Sequence, residues 1–170
     1  APDFDSTDNE VTVTGSAADG TAFELMKYIY STTADINSIS STSAADTQVI
    51  SVQGLNSNFD LVEQTATLTG QTRVALTTPL IRVFRAYNNS ATRTVGTVVV
   101  YVNGATSGGV PTTKTNIRAI VSPAEQQTLM AIYTIPRGKT GYMRDWYAGL
   151  AGASRASDYI IKLRSRLPGK

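Results

Sequence analysis

The stretch "TQVISVQGLNSNFDLVEQTATLTG", residues 47–70, decides the fold class of this chain. Apolar and polar residues alternate on both sides of its central "GLNSN", and β-branched residues are frequent in both halves. Successive side chains on a β-strand point to opposite faces of a sheet, so this alternation indicates strands with one buried and one solvated face. Because Gly and Asn favour tight turns, the stretch predicts two antiparallel strands joined by a turn.

The same alternation recurs along the rest of the chain and predicts an all-β fold. Thr and Ser are abundant, with 24 Thr and 15 Ser among 170 residues, and the branched Cβ of Thr suits a pleated surface. The spacing of the strands, roughly 8–12 residues, favours an antiparallel jelly-roll-like or Greek-key β-sandwich over βαβ units. The further strands are predicted at residues 10–14, 21–30, 72–77, 79–88, 95–104, 116–122, 128–136, 142–148 and 158–166.

Two segments determine the predicted domain organisation. Residues 31–46, "STTADINSISSTSAAD", are poor in core-forming side chains and predict a long loop or extended linker. We therefore expect residues 1–46 to form an extended acidic N-terminal arm and loop with one or two short strands, and residues 47–170 to form the β-sandwich body. The final "IIKLRSRLPGK" would leave an unpaired strand edge. We expect either that a second subunit covers this edge or that the natural polypeptide continues beyond a truncated body.

Charge is sorted by position along the chain. Residues 1–63 contain ten acidic residues and one basic residue, Lys27, whereas residues 64–170 contain three acidic and fourteen basic residues. The two parts carry about −9 and +11, which together give the net charge of +2. Opposite charges of this size attract within one subunit or between copies arranged head to tail. The residues predicted to be charge partners in self-assembly are Asp3, Asp5, Asp8 and Glu10 on the arm, and Arg82, Arg85, Arg144, Arg164 and Arg166 on the body.

Composition excludes several kinds of enzyme. The chain has no Cys and no His, so a serine or cysteine hydrolase with a histidine base is excluded, and the usual zinc, copper and non-haem iron sites are close to excluded. Carboxylate chemistry and calcium binding remain open, but no pair of carboxylates has a context that suggests acid–base catalysis. No apolar run approaches the roughly 20 residues that span a bilayer. We expect a protein that is not an enzyme and needs no cofactor or metal.

Two short motifs resemble known binding loops but lack required residues. "RGKTG", residues 137–141, is not a phosphate-binding P-loop, because Tyr133 stands where that loop needs its first glycine. It predicts instead a hairpin turn with solvated Arg137 and Lys139. The acidic cluster near the N-terminus is not an EF-hand loop, because Asp8 stands at the position of the required glycine. A solvated arm, or one that docks on a basic partner, is the better interpretation.

Neither the basic nor the aromatic residues form a clear binding motif. The Arg and Lys residues are not interleaved with the aromatic pattern of an RNA-binding sheet, and RNP motifs are absent, so nucleic-acid binding ranks third among the functions considered. The aromatic residues of the last third are either a glycan-binding platform or packing groups within and between subunits, and packing is preferred. They include Tyr133, Tyr142, Trp146, Tyr147 and Tyr159.

Two stretches carry a resemblance to a known group of proteins. They are "VISVQGLNSNFDLVEQTATLTGQTRVALTTPLIRVFRAYN", residues 49–88, and "EQQTLMAIYTIPRGKTGYMRDWYAGL", residues 125–150. Both resemble virion structural proteins of tailed bacteriophages, especially those of cyanobacteria and other marine hosts. The shared features are a strand pair with "GLN" at its turn, an "IRVFRA" strand and the "QTLMAIYTIPRGKTGY" segment. The resemblance covers somewhat under half of the chain, and its motifs concern packing rather than chemistry.

The resemblance implies a mechanical function on the surface of a phage particle. The first expectation is a capsid decoration or cement protein that stabilises the particle. Its expected partners are its own copies, as a homotrimer or another homo-oligomer, together with the major capsid protein or other virion proteins. No membrane partner is expected. The alternative is a tail-fibre or receptor-binding domain that recognises a host surface glycan through Trp146 and Tyr147.

Overall fold

The computed structural model of the chain describes residues 14–16, 22–24 and 29–145. These ranges contain eleven β-strands and one turn of 3-10 helix, Lys114–Asn116. β1 and β2 form an antiparallel hairpin, as do β9 and β10. The strands are β1 (Thr14–Ser16), β2 (Ala22–Glu24), β3 (Ile36–Ser41), β4 (Val49–Leu55), β5 (Leu61–Thr67), β6 (Val74–Leu80), β7 (Arg82–Asn88), β8 (Val98–Val102), β9 (Thr106–Ser107), β10 (Val110–Pro111) and β11 (Ile117–Val121).

Seven of these strands form two antiparallel sheets that share one hydrophobic core. The strand order is β11-β8-β3-β6 in the four-stranded sheet and β5-β4-β7 in the three-stranded sheet. Aliphatic side chains from both sheets meet between them, and their burial is the main favourable term in folding. The largest of them are Ile36, Ile39, Ile50, Val52, Leu68, Leu76, Leu80, Val83, Val98, Val100 and Val121. The predicted fold class, an all-β antiparallel sandwich, is confirmed.

The predicted loop at residues 31–46 is wrong in its centre. Part of it forms β3, which lies between β8 and β6 in the middle of the four-stranded sheet. Ile36 and Ile39 of this strand are fully buried in the core. The sandwich therefore begins before residue 47, and a boundary between arm and body at that position would cut through it.

The serine-rich sequence of β3 is compatible with burial because its hydroxyl groups have partners. The Ser40 hydroxyl donates to the backbone oxygen of Gly109 at 2.7 Å and lies 3.1 Å from the Tyr101 hydroxyl. Gly109 has a φ of +77°, and a Cβ atom there would lie 1.8 Å from the backbone oxygen of Ser41. Glycine is suited to both the conformation and the close approach. The β9–β10 hairpin can thus lie directly on the serine face of β3.

Two predicted strands near the end of the described chain are also wrong. Neither residues 128–136 nor residues 142–145 form a strand of any described sheet. The first segment is extended, and Thr128 at its start bonds to Ala86 of β7. The remainder of the second predicted strand, and the whole predicted strand at residues 158–166, lie outside the described residues.

The "RGKTG" segment forms a turn, as predicted, but without the flanking strands of a hairpin. The Lys139 N–H donates to the Pro136 oxygen at 3.1 Å, and Gly138 has a φ of +69°. Arg137 and Lys139 are exposed. A second compact unit, residues Thr140–Lys170, follows this turn. Its described residues, 140–145, are all exposed.

A buried carboxylate holds the loops at one end of the sandwich. Asp46 accepts hydrogen bonds from the Ser41 hydroxyl at 2.5 Å and from the backbone N–H groups of Val95 and Gly96 at 2.8 and 2.9 Å. Burial alone would raise the pKa of Asp46, but these hydrogen bonds to the charged form outweigh it and hold the pKa below its usual value. The charged group therefore joins the end of β3 to the loop before β8.

One side chain connects the two sheets at the edge strand β6. Gln64 of β5 donates its Nε2 to the backbone oxygen of Thr78 at 2.8 Å, and its Oε1 accepts the Thr78 N–H at 2.9 Å. These two bonds satisfy backbone groups that a neighbouring strand would otherwise satisfy. Pro79, which follows Thr78 in β6, has no backbone N–H group that could donate to a further strand.

Candidate interaction surface

Residues 128–137, which we call the strap, run along the outside of the sandwich and are fixed at both ends. At the start, the Thr128 N–H donates to the Ala86 oxygen at 2.8 Å, and the Ala86 N–H donates to the Thr128 hydroxyl at 3.1 Å. At the end, the Arg137 N–H donates to the Phe59 oxygen at 2.8 Å. The strap is therefore held by β7 on one side and by the turn between β4 and β5 on the other.

The side chains of the strap alternate between the body and solvent. The even-numbered residues from Met130 to Pro136 are half-buried, and Met130 packs against the main core. The odd-numbered residues are exposed, and three of them are large and apolar: Leu129 at 73%, Tyr133 at 67% and Ile135 at 47%. The period-2 pattern in the sequence thus describes an extended segment correctly, although its second face is largely exposed.

The backbone of the strap is open between its two anchors. From Leu129 to Ile135, no backbone N–H or C=O group forms a hydrogen bond with another described residue. Unpaired edges of this kind are the surfaces on which proteins add a further strand. The strap therefore combines an exposed apolar face with backbone donors and acceptors that have no partner in the described part of the chain.

Backbone strain marks the residue that holds the end of the strap. Phe59 has a φ of +62°, which is a genuine outlier for a bulky residue and costs about 1–2 kcal/mol. The turn around it enforces this conformation, because the Asn56 side chain accepts hydrogen bonds from the N–H groups of Asn58 and Asp60 at 2.8 and 3.0 Å. Strain is retained where the surrounding structure fixes it, often at functional sites.

A cleft of about 370 Å³ lies between the strap and the outer face of the three-stranded sheet. Tyr133 of the strap and Phe84 of β7 form an aromatic wall, with ring centroids 5.0 Å apart. Phe84 is placed there by a bulge, because the register between β4 and β7 shifts after Gln53. The lining residues are Gln53, Leu61, Glu63, Phe84, Arg85, Ile132 and Tyr133.

Polar groups converge on one side of this cleft. Gln53 pairs in register with Glu63 on β5 and with Arg85 on β7, so the three side chains lie on the same face of the sheet. The Arg85 guanidinium lies over the Tyr87 ring at 4.6 Å, and the Tyr87 hydroxyl donates to Glu63 at 3.2 Å. The Gln53 amide makes no hydrogen bond to another described residue. The cleft therefore offers an amide, a carboxylate and a guanidinium beside two aromatic rings.

Two arginines bind the chain where it enters the sandwich. The Arg82 guanidinium donates to the backbone oxygen of Ser31 at 2.6 Å, and Arg118 donates to the Ser31 hydroxyl at 3.2 Å. Arg82 also lies over the rings of Tyr30 and Phe59, at 5.0 and 5.8 Å from their centroids. These contacts fix the position from which the preceding residues depart.

The structure describes three of the predicted charge partners. Arg82 is half-buried and donates to the backbone oxygens of Ser31 and Ile81. Arg85 is exposed in the wall of the cleft, and Arg144 is exposed within the second unit. The others lie outside the described residues, so pairing of arm and body stays a prediction. They are Asp3, Asp5, Asp8, Glu10, Arg164 and Arg166, and the predicted glycan residues Trp146 and Tyr147 lie there too.

Sequence reasoning missed the cleft although part of its signal was present. The alternation in residues 47–70 predicts a hairpin in which Gln53 and Glu63 face each other, and the structure has this pairing. The alternation of apolar and polar residues does not indicate the bulge that places Phe84 in the cleft. Tyr133 was expected to pack in the core or between subunits, and in this structure it forms the outer wall of the cleft.

Comparison of the chain with protein-family models, with curated proteins and with solved structures finds no match. Within the described residues, no group of three or more acidic side chains is placed to hold a metal ion. No helix in the described part of the chain is long and apolar enough to cross a membrane. The fold and surface define an antiparallel β-sandwich that carries an external, partly unpaired strand.

Proposed function

We propose that this chain is a structural protein of a tailed-phage particle, a capsid decoration or cement protein that binds the capsid and its own copies. The observation that best supports this proposal is the strap. It presents an apolar face and open backbone groups on a folded sandwich, and proteins use such surfaces for association rather than catalysis. The strap also lies within the second of the two stretches that resemble phage virion proteins.

The distribution of charge supports association between copies. Residues 1–28 contain six acidic residues and one basic residue, whereas residues 29–139 contain five acidic and eight basic residues. The acidic part precedes Ser31, where Arg82 and Arg118 hold the chain. An acidic extension that starts from a basic sandwich is attracted to that sandwich or to the one beside it.

The test of this proposal is the location of the protein. Peptides of this chain should be found in particles purified from the source of the sequence, and electron cryo-microscopy should show the β-sandwich on the outer capsid surface. If the chain is absent from purified particles but present in the soluble fraction of infected cells, the proposal is wrong. A position on the tail tip would instead favour the second candidate.

The cleft favours that second candidate, a receptor-binding domain for a host surface glycan. Sugar rings stack on aromatic side chains and exchange hydrogen bonds with amides, carboxylates and guanidinium groups, all of which line the cleft. On a glycan array, Tyr133→Ala should abolish binding and the double variant Trp146→Ala/Tyr147→Ala should not. The opposite dependence would place the glycan at the residues predicted from the sequence.

A further inference from the structure

We infer that the strap forms an antiparallel β-ladder with the strap of a second copy, about a two-fold axis near Ala131. This inference rests on the self-association contained in the proposed function and names the surface that carries it. The ladder would satisfy the backbone groups of alternate residues between Leu129 and Ile135, which have no partner among the described residues. Because each residue there already has an extended, alternating arrangement, the pairing needs no refolding of the segment.

The sequence of the strap lacks the features that keep edge strands apart. No charged residue occurs in "QQTLMAIYTIP", residues 126–136, and its only proline is the last residue. Natural edge strands commonly carry Lys, inward charges or Pro to prevent pairing with other molecules. Short uncharged segments of high β-propensity pair readily when they are exposed. The exposed apolar side chains of Leu129, Tyr133 and Ile135 make a free strap costly in water.

Charge at the two ends of the strap selects a second copy in antiparallel orientation. Glu125 precedes the strap, Arg137 ends it, and both are exposed. A two-fold axis near Ala131 places Leu129 of one copy opposite Tyr133 of the other, and brings each Glu125 towards the Arg137 of its neighbour. A parallel pair would bring like charges together at both ends, which is unfavourable. The segment is therefore complementary to itself in one orientation.

The anchors at both ends lower the cost of this association. Ordering a flexible segment on binding consumes part of the interaction free energy. Here the bonds from Thr128 to Ala86 and from Arg137 to Phe59 hold the strap before a partner arrives. The strap can therefore bind as a preformed strand.

The first experiment uses the full chain and a single backbone change. Ala131→Pro removes an N–H group at the centre of the strap, where the side chain is exposed and the N–H has no partner among the described residues. Sedimentation equilibrium should show a dimer for the native chain and a dissociation constant raised at least about tenfold for the variant. Ala131→Ser is the matched control and should dimerise normally. Circular dichroism should show the same β-sheet content in all three chains.

The second experiment tests the orientation. Glu125→Arg and Arg137→Glu should each weaken the dimer by roughly two- to fivefold, the range of exposed ion pairs. The double variant should recover the native dissociation constant, because it restores opposite charges across the axis. Hydrogen exchange of alternate amides between residues 129 and 135 should slow as protein concentration rises. If amide exchange slows with concentration but the double variant does not recover the native dissociation constant, the straps pair in another register.

Two results would overturn the inference. One is a native chain that stays monomeric at all concentrations, and the other is Ala131→Pro dimerising as tightly as the native chain. Location separates this inference from the proposed function. A chain that dimerises through the strap but is absent from purified particles contradicts only the virion proposal. A chain found on the capsid in copies that contact one another away from the strap contradicts only the pairing of straps.

Discussion

The Asp46 carboxylate accepts hydrogen bonds from three donors, one at the end of β3 and two in the loop before β8. Its charged form is needed, because the Ser41 hydroxyl and two backbone N–H groups all donate to it. Hydrogen bonds to a charged acceptor are stronger than those between neutral groups. The stability of this end of the sandwich therefore depends on the ionisation of the Asp46 carboxyl group.

Acid should remove this contribution. The pKa of Asp46 in the folded chain lies below its ordinary value of 3.8, so the stability it provides is complete above that value and is lost as the pH falls through the folded pKa. Asp46→Asn replaces one of the two accepting carboxylate oxygens by an NH2 group, which donates. The variant should therefore be less stable by about 1–3 kcal/mol at neutral pH. It should also flatten the loss of stability in acid, measured by urea unfolding from neutral pH downwards.

Asp60→Asn is the control for this prediction. Asp60 is exposed, and its carboxylate accepts only a long hydrogen bond of 3.4 Å from the Asn56 amide among the described residues. The variant should retain both the native stability and the native pH profile. If it matches Asp46→Asn, the acid sensitivity arises from general charge repulsion and not from the buried carboxylate.

Among the secondary-structure elements, β3 and the strap show where sequence patterns succeed and fail. The serines of β3 resemble a loop, yet Ser40 bonds to Gly109 under a hairpin that comes from a distant part of the chain. The strap has one of the strongest strand patterns, yet within the described residues only its start, at Thr128, bonds to a sheet strand. Alternation reports which side chains meet the body, and it does not report whether a backbone edge has a partner. The hairpin of β4 and β5 was predictable because both strands and their turn are contiguous.

The β9–β10 hairpin, which lies on β3, gives a prediction about two of its glycines. Gly108→Ala and Gly109→Ala both place a side chain at positive φ, which costs about 1 kcal/mol. A Cβ at position 108 meets no atom within 4 Å, but one at position 109 meets the Ser41 backbone. Gly109→Ala should therefore be clearly more destabilising, because the hairpin must move away from the buried serines.

Urea unfolding midpoints of the two variants check this prediction. Increased hydrogen exchange at the backbone of β3 should accompany Gly109→Ala alone. Equal midpoints would show that the hairpin already moves freely and that the serines of β3 obtain their hydrogen bonds from water.

In the whole molecule, acidic residues dominate the part of the chain that precedes the two sheets, and basic residues dominate the part that follows. The two sheets start at Ile36, so removal of residues 1–28 leaves every one of their strands, whereas removal of residues 1–46 would delete β3. The full chain should self-associate more strongly at low salt than the chain without residues 1–28. Sedimentation velocity should show this difference disappear as salt rises from about 0.01 M to about 1 M, where the Debye length falls from about 30 Å to about 3 Å.

A full-length chain with a neutral arm separates charge from length. The changes Asp3→Asn, Asp5→Asn, Asp8→Asn, Glu10→Gln and Asp19→Asn remove five negative charges without shortening the chain, which leaves one acidic and one basic residue in residues 1–28. This variant should behave like the truncated chain at low salt. Self-association that is identical in the native, neutral and truncated chains would contradict a role for the acidic arm.

The edge strand β6 determines how far an assembly of such molecules can grow. A sheet that accepts strands on opposite sides can extend into a ribbon without end. The Gln64 amide occupies both backbone groups of Thr78, and Pro79 offers no donor beside it. At residues 78 and 79, therefore, the edge of β6 has no free backbone N–H group for an incoming strand.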